Sequence, residues 1–172
     1  MPVKPGWVGR FYEDFEVDDV YPHPLGRTIT QSDNMWFTLL TQNTNPVHLD
    51  AVYVSHTEFA KPLVNSTFTL ALVTGQSVTD ISQNAVANLG WNDIMLPNPV
   101  FEGDTIYSYS TVIETRESRS RSNAGIVKVK TIGYNQDNKI VISFYRTVMV
   151  YKRGYAPSLP GSRKVNELPH DD

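Results

Sequence analysis

The sequence predicts an α+β fold in which an antiparallel sheet wraps around one long central helix. The run from Asn65 or Ser66 to about Asp80 is uncharged and largely apolar, which is typical of a buried helix. From Val86 onward the chain is rich in β-branched and aromatic residues, interrupted by turn-forming pairs such as Asn98-Pro99. A sheet of this kind buries its apolar face by packing against a helix.

Length and composition favour a single folded domain. The chain has 172 residues, of which 40% are hydrophobic and 19% charged, close to ordinary globular usage. We expect residues 1–154 to form one domain. The last stretch, residues 155–172, carries prolines and charges without periodicity, so we expect it to form a C-terminal extension.

Charge and hydropathy disfavour two classes of partner. A formal net charge of −3 offers no general electrostatic attraction for a phosphate backbone, so we expect no nucleic-acid partner. No stretch approaches the ~18 consecutive apolar residues of a membrane span, and the first residues lack the apolar run of a secretory signal. We therefore expect no membrane partner and a cytoplasmic location. The absence of cysteine excludes disulfides and thiolate chemistry.

The first predicted elements are a short strand and a helix. Residues 26–30 resemble a strand that follows a loop. Thr30, Ser32 or Asp33 can cap a helix that ends near Gln42. Apolar residues recur at helical spacing within it, at Met35, Trp36, Leu39 and Leu40.

Asparagines and a proline predict a loop over residues 43–50. A second short helix is expected over residues 51–59, closed before Pro62. The central helix that follows has little polar face, so we expect it to be almost wholly buried.

Partial alternation of apolar and polar residues predicts strands over residues 105–114, 126–134 and 140–151. An antiparallel meander is the simplest topology. Because such a sheet leaves edges and an apolar face uncovered, we expect a homodimer or a higher homo-oligomer.

The loop Asn43-Thr44-Asn45-Pro46-Val47-His48 resembles the signature of R-specific enoyl-CoA hydratases and MaoC-like dehydratases. Those proteins have the hot-dog fold, which agrees with the α+β arrangement predicted above. Asn45, Pro46, Val47 and His48 match the motif position by position. The resemblance spans roughly residues 10–152.

Further strings resemble the branch that acts on itaconyl-CoA, mesaconyl-CoA or β-methylmalyl-CoA. They are Leu63-Val64-Asn65-Ser66-Thr67, Val86-Ala87-Asn88-Leu89-Gly90-Trp91, Pro99-Val100-Phe101-Glu102-Gly103-Asp104 and Arg116-Glu117-Ser118-Arg119-Ser120-Arg121. The implied substrate is an acyl-CoA thioester, and the implied reaction adds or removes water at its double bond.

The resemblance implies roles for particular residues. His48 would be the acid and base, because a neutral imidazole can take and return a proton near pH 7. Asn43 would orient water, and the Ser66 N–H, beside Asn65, would hold the thioester oxygen at a helix amino terminus. Tentative substrate-pocket residues are Asn45, Val64, Trp91 and Arg119. No cofactor is expected beyond the CoA of the substrate, and no metal.

Two of these residues also have plainer interpretations. Arg119 lies in a charged run near a turn, which is more often a solvated rim than a binding site for phosphate or carboxylate. Trp91 is more consistent with core or pocket wall than with a catalytic role.

One departure from the family pattern affects the mechanism. The family has aspartate five positions before the histidine, where this chain has Asn43, which cannot exchange a proton at ordinary pH. Either His48 performs both proton transfers, or another acid such as Asp33 or Asp50 enters the site, or activity is absent. We favour the first.

Two other functions stay open. Hot-dog proteins include thioesterases, which typically place a carboxylate against the central helix, and no carboxylate occurs between Asn65 and Thr79. A non-catalytic acyl-CoA-binding subunit would account for the missing aspartate.

Overall fold

The computed structural model describes residues 6–158. Five strands form one antiparallel sheet in the order β1-β3-β4-β5-β2. The strands are β1 Val20–Thr28, β2 Ala85–Met95, β3 Thr105–Glu117, β4 Ala124–Tyr134 and β5 Ile140–Tyr151. The helices are α1 Gln31–Leu40, α2 Ala51–Ser55 and α3 Ser66–Gln76. The predicted α+β class and hot-dog fold are confirmed.

The central helix α3 packs across β1, β3 and β4. Its Val73 is fully buried in a core cluster that includes Ile142 and Phe144 of β5. Gly133 of β4 allows this close approach, because a Cβ atom at Gly133 would lie 2.7 Å from a methyl carbon of Val73 and 2.7 Å from one of Ile142. The helix therefore lies directly on the sheet.

Strands β3, β4 and β5 follow the predictions closely, whereas no bounds were predicted for β2, and two further features of the sheet differ. The first strand begins at Val20 rather than near Gly26, because Pro22 and Pro24 conceal it in the sequence. Proline is tolerated there since β1 is an edge strand. The simple meander is correct only for β3, β4 and β5, while β2 pairs with β5 at the far edge.

Helix α1 forms as predicted, with Thr30 as its cap, and it buries its polar face. Asn34 and Thr38 are fully buried, whereas Trp36 and Leu40 are 69% and 74% exposed. The apolar spacing therefore predicted the helix without indicating which side faces the interior.

The expectation that the central helix is almost wholly buried is wrong for the single chain. Thr67, Ala71 and Gly75 lie on an exposed face of α3. The helix also ends at Gln76, where a π-helical turn, Val78–Ser82, takes over. Similarly, α2 ends at Ser55, earlier than the predicted residue 59.

Most of the predicted C-terminal extension, residues 159–172, lies outside the described residues. Within residues 6–158, every helix is too short or too polar to cross a bilayer.

Candidate active site

One cavity of about 340 Å³ brings together residues from the loop before α2, the start of α3 and the segment before β3. Its lining consists of His48, Phe59, Leu63, Val64, Ser66, Thr69, Leu96, Pro97, Asn98, Pro99 and Val100. Three of the predicted site residues, His48, Val64 and Ser66, therefore share one cavity.

His48 ends a short 3-10 helix, Pro46–His48, that is capped by the side chain of Asn45. Its Nδ1 atom lies 2.9 Å from the carbonyl oxygen of Leu63. Because a carbonyl oxygen can only accept, Nδ1 carries the proton, and the neutral ring keeps a lone pair on Nε2. The ring is thus held in the tautomer that can act as a base through Nε2.

The asparagines of this loop shape its backbone. Asn43 Oδ1 accepts a hydrogen bond from the Asn45 N–H at 3.0 Å, and Asn45 Oδ1 accepts one from the Val47 N–H at 3.1 Å. These are local side-chain-to-backbone turns of the kind that asparagine favours. Neither Asn43 nor Asn45 lines the cavity in the single chain.

Ser66 is the first residue of α3, and Asn65 caps the helix. Asn65 Oδ1 accepts hydrogen bonds from the N–H and the hydroxyl of Thr67. Within residues 6–158 the Ser66 N–H has no hydrogen-bond acceptor. A free N–H at the positive end of a helix dipole favours a developing negative charge. The Ser66 N–H can therefore stabilise an enolate-like oxygen.

Asn34 of α1 contacts both the segments that hold His48 and the residue that caps α3. It was not predicted from the sequence. Its Nδ2 group lies 3.3 Å from the His48 carbonyl oxygen, 3.0 Å from that of Leu63 and 3.2 Å from Glu102 Oε1. Its Oδ1 accepts the Asn65 N–H at 2.9 Å. The sequence carried no distinct signal for Asn34, because α1 also contains the polar residues Gln31, Ser32, Asp33 and Thr38.

The two carboxylates considered as substitutes for the missing aspartate act elsewhere. Asp50 caps α2 by accepting two backbone N–H groups. Asp33 accepts hydrogen bonds from Thr30 and from Arg27. Burial raises the pKa of Asp33, but the hydrogen bonds from Thr30 and the Arg27 charge outweigh burial, so the pKa lies below its ordinary value. Neither carboxylate lines the His48 cavity.

The remaining predicted pocket residues lie apart from His48. Trp91 of β2 lines a separate groove along the exposed face of α3. Arg119 is exposed in the turn between β3 and β4. In the described part of the chain, no group of three His, Asp or Glu side chains is placed to hold a metal ion.

A second polar group has the connectivity of a Ser-His-Asp triad. His23 Nδ1 lies 3.0 Å from Asp80 Oδ2, and His23 Nε2 lies 2.9 Å from Ser110 Oγ. Ser110 is fully buried and also bonds Thr131 Oγ1 at 2.8 Å. Because no substrate can reach the hydroxyl, this group is structural.

A sheet around a helix, with a histidine loop at the helix amino end, defines the class of MaoC-like hot-dog proteins. A crystal structure of a MaoC domain protein from Chloroflexus aurantiacus superposes with a TM-score of 0.83 at 31% identity, over 97% of this chain and 47% of that one. The family model described as mesaconyl-CoA hydratase matches residues 6–168. The chain belongs to the mesaconyl-CoA hydratase family.

Two curated relatives agree with this assignment. The chain is 35% identical to a mesaconyl-CoA hydratase from Cereibacter sphaeroides, over 93% of this chain and 49% of the relative. It is 32% identical to a β-methylmalyl-CoA dehydratase from Chloroflexus aurantiacus, over 93% of this chain and 47% of the relative. The chain thus spans about half the length of these relatives.

Proposed function

We propose that this chain is a hydratase or dehydratase for a short branched or dicarboxylic enoyl-CoA of the mesaconyl-CoA or itaconyl-CoA type. The observation that carries the proposal is that His48 and Ser66 line the same cavity. The names of the relatives, mesaconyl-CoA hydratase and β-methylmalyl-CoA dehydratase, support this reaction type.

In hydration, His48 Nε2 removes a proton from water as the water oxygen bonds to the β-carbon of the substrate. The electron pair of the double bond moves toward the thioester, and the carbonyl oxygen becomes enolate-like. The Ser66 N–H stabilises that oxygen. His48 then returns the proton to the α-carbon, so the product contains one added water. Dehydration follows the reverse path.

A single acid and base is the simplest mechanism for this chain. Asn43 can donate and accept hydrogen bonds but cannot exchange a proton near neutral pH. Its Oδ1 accepts the Asn45 N–H, and because Asn43 does not line the cavity in the single chain, its Nδ2 group can orient the water only where a second copy completes the site. Because the carboxylates of Asp33 and Asp50 are engaged in helix capping, His48 performs both proton transfers.

The cavity walls are consistent with a short acyl group. Phe59, Leu63, Val64 and Val100 provide apolar contact, and Asn98 adds one polar side chain. The reaction moves a proton and a hydroxyl group without any redox change, so we propose that it needs no cofactor beyond the CoA of the substrate. An acyl-CoA substrate is consistent with the cytoplasmic location that we predict.

The test is incubation with crotonyl-CoA, mesaconyl-CoA and itaconyl-CoA, following loss of the conjugated double bond and product mass. His48→Ala should abolish hydration. His56→Ala is the matched control, because His56 Nδ1 also lies against a backbone carbonyl, that of Val52, but His56 does not line the cavity. Hydration by His48→Ala at the wild-type rate would contradict the assignment.

Other outcomes would favour the alternative functions. Release of free CoA from a saturated acyl-CoA would indicate a thioesterase. Tight thioester binding without turnover would indicate a non-catalytic acyl-CoA-binding subunit.

We also propose that two copies of the chain associate along β2. In the part of the chain that the structure describes, this strand pairs only with β5, and it exposes Leu89, Trp91 and Met95. The relatives are about twice as long, which leaves room for a second unit of this size. Light scattering after size exclusion should give twice the chain mass, and Leu89→Lys should shift it toward the monomer. A monomeric wild-type chain would contradict this proposal.

A further inference from the structure

Asn34 is the fourth residue of α1 and is fully buried, whereas a fully buried side chain is ordinarily apolar. Its amide instead contacts three separate segments of the chain. These are the loop that ends at His48, the Leu63 segment before α3, and the Glu102 segment before β3. The amide also accepts the Asn65 N–H, at the cap of α3.

The chemistry of these neighbours determines which way the amide points. The three groups around Nδ2 are two carbonyl oxygens and a carboxylate, which all accept, whereas the group at Oδ1 is a backbone N–H, which donates. The reverse orientation would place oxygen against three acceptors. Asn34 therefore faces the Leu63 carbonyl as a donor.

This orientation matters because the Leu63 carbonyl accepts two hydrogen bonds. One comes from Asn34 Nδ2 at 3.0 Å and the other from His48 Nδ1 at 2.9 Å. The Asn34 amide thus fixes the oxygen that sets the tautomer and direction of the imidazole. Its other end fixes Asn65, the residue directly before the Ser66 N–H.

We propose that Asn34 is a positioning residue that sets the distance and angle between the His48 imidazole and the Ser66 N–H, an inference that rests on the proposed function. Asn34 does not line the cavity, so it acts only through its neighbours. Within residues 6–158, its buried amide is the one group hydrogen-bonded both to the Leu63 carbonyl, which holds His48, and to Asn65, which precedes the Ser66 N–H. Its loss should impair the transition state more than substrate binding.

The first test compares Asn34→Asp with the wild type in steady-state hydration. Aspartate has the same shape, but its ionised carboxylate cannot donate to the Leu63 carbonyl. We expect kcat to fall by about ten- to a hundredfold, as expected for a small misplacement of reacting groups, with KM changed by less than about threefold. A kcat within about twofold of the wild-type value would overturn the proposal.

Asn84→Asp is the matched control. Asn84 Nδ2 also bridges two backbone carbonyls, those of Val8 and Arg10, but it does so away from the cavity. This variant should lose a comparable pair of hydrogen bonds and keep its kcat per folded molecule. An equal fall in kcat for both variants would show a general stability effect and would also overturn the proposal.

A spectroscopic measurement separates this inference from the proposed function. The ¹⁵N shifts of the His48 imidazole should show the Nδ1–H tautomer in the wild type and an increased share of the Nε2–H tautomer in Asn34→Asp. Because the ¹⁵N measurement needs no turnover, the positioning role of Asn34 can be tested even if the wild-type chain has no hydratase activity. Such an inactive chain would refute the proposed function. Unchanged tautomer populations would overturn positioning.

Thr38→Val decides the question if the Asn34 variant does not fold. Thr38 Oγ1 accepts a hydrogen bond from Asn65 Nδ2 at 3.3 Å, one turn along α1 from Asn34, and valine preserves the shape. It should lower kcat several-fold with unchanged KM. If Thr38→Val keeps the wild-type kcat, the contacts between α1 and Asn65 do not position the Ser66 N–H, and the proposal is overturned.

Discussion

The side-chain oxygen of Asn65 lies 3.0 Å from the backbone nitrogen of Thr67. The cap therefore satisfies the second N–H of α3 and passes over the first, that of Ser66. A helix leaves its first N–H groups without intrahelical partners, and here one of them borders the His48 cavity. This arrangement allows the proposed oxyanion donor to be removed without disturbing the helix.

Ser66→Pro should abolish most of the activity while the fold is kept. Proline removes the N–H and is well tolerated at the first position of a helix. The preceding residue, Asn65, already has φ −56° and ψ 125°, which suits a residue before proline. We expect kcat to fall by about 10²- to 10³-fold, measured by loss of the conjugated double bond.

Ser66→Ala is the control for that experiment. It retains the backbone N–H and removes only a hydroxyl that has no hydrogen bond within residues 6–158. Its kcat should stay near that of the wild type. A large loss in the alanine variant would transfer the role from the backbone N–H to the hydroxyl.

Substitutions at Asn43 should show how much its side chain contributes to the loop turn before His48. In Asn43→Asp a carboxylate can still accept the Asn45 N–H, so the free energy of unfolding should remain near the wild-type value. Asn43→Ala should lower it by about 1 kcal/mol, since that hydrogen bond is lost. Chemical denaturation checks both values. Equal stability of the two variants would show that the turn does not depend on the side chain.

Burial lowers the pKa of His23 below its ordinary value of 6.5, and the nearby Asp80 carboxylate only partly opposes this. The unfolded chain therefore binds a proton near pH 6.5 while the folded chain does so only at lower pH. The free energy of unfolding should fall as the pH drops below about 6.5 and level off below the folded pKa. Urea unfolding between pH 8 and pH 5 measures this slope.

His23→Gln provides the comparison, because glutamine does not titrate. We expect this variant to be less stable at pH 8, where its contacts with Asp80 and Ser110 are impaired. Its stability should also depend less on pH than that of the wild type. Parallel pH curves for the two proteins would rule out His23 as the group responsible.

Gly133→Ala should destabilise the fold by about 1–3 kcal/mol through overpacking. The added methyl group would lie 2.7 Å from a carbon of Val73 and 2.7 Å from one of Ile142. In a Val73→Ala background one of these clashes is removed, so the same substitution should cost less. A double-mutant cycle by chemical denaturation measures the coupling, and strict additivity would contradict the close approach of α3 to β4.

Local signals in the sequence were sufficient to locate most helices and strands, but not to predict which strands pair with each other. Turn-forming residues and alternation located β3, β4 and β5, and the Thr30 cap located α1. The order of the strands could not be read from local sequence, because the paired residues of β2 and β5 are 48 to 65 positions apart in the chain. The same strand order places β1 at an edge of the sheet, which is why β1 tolerates Pro22.

By itself, the sequence determined the α+β fold class, the asparagine-proline loop that carries His48, and the family to which the loop belongs, because each depends on residues close together in the chain. Tertiary structure alone decided that His48 and Ser66 share a cavity and that Asn34 lies beneath both. These contacts join residues 14 to 31 positions apart, and hydrogen bonds at such separations depend on packing rather than on local pattern. The polar side of α1 is buried because Asn34 and Thr38 make such long-range hydrogen bonds with Asn65.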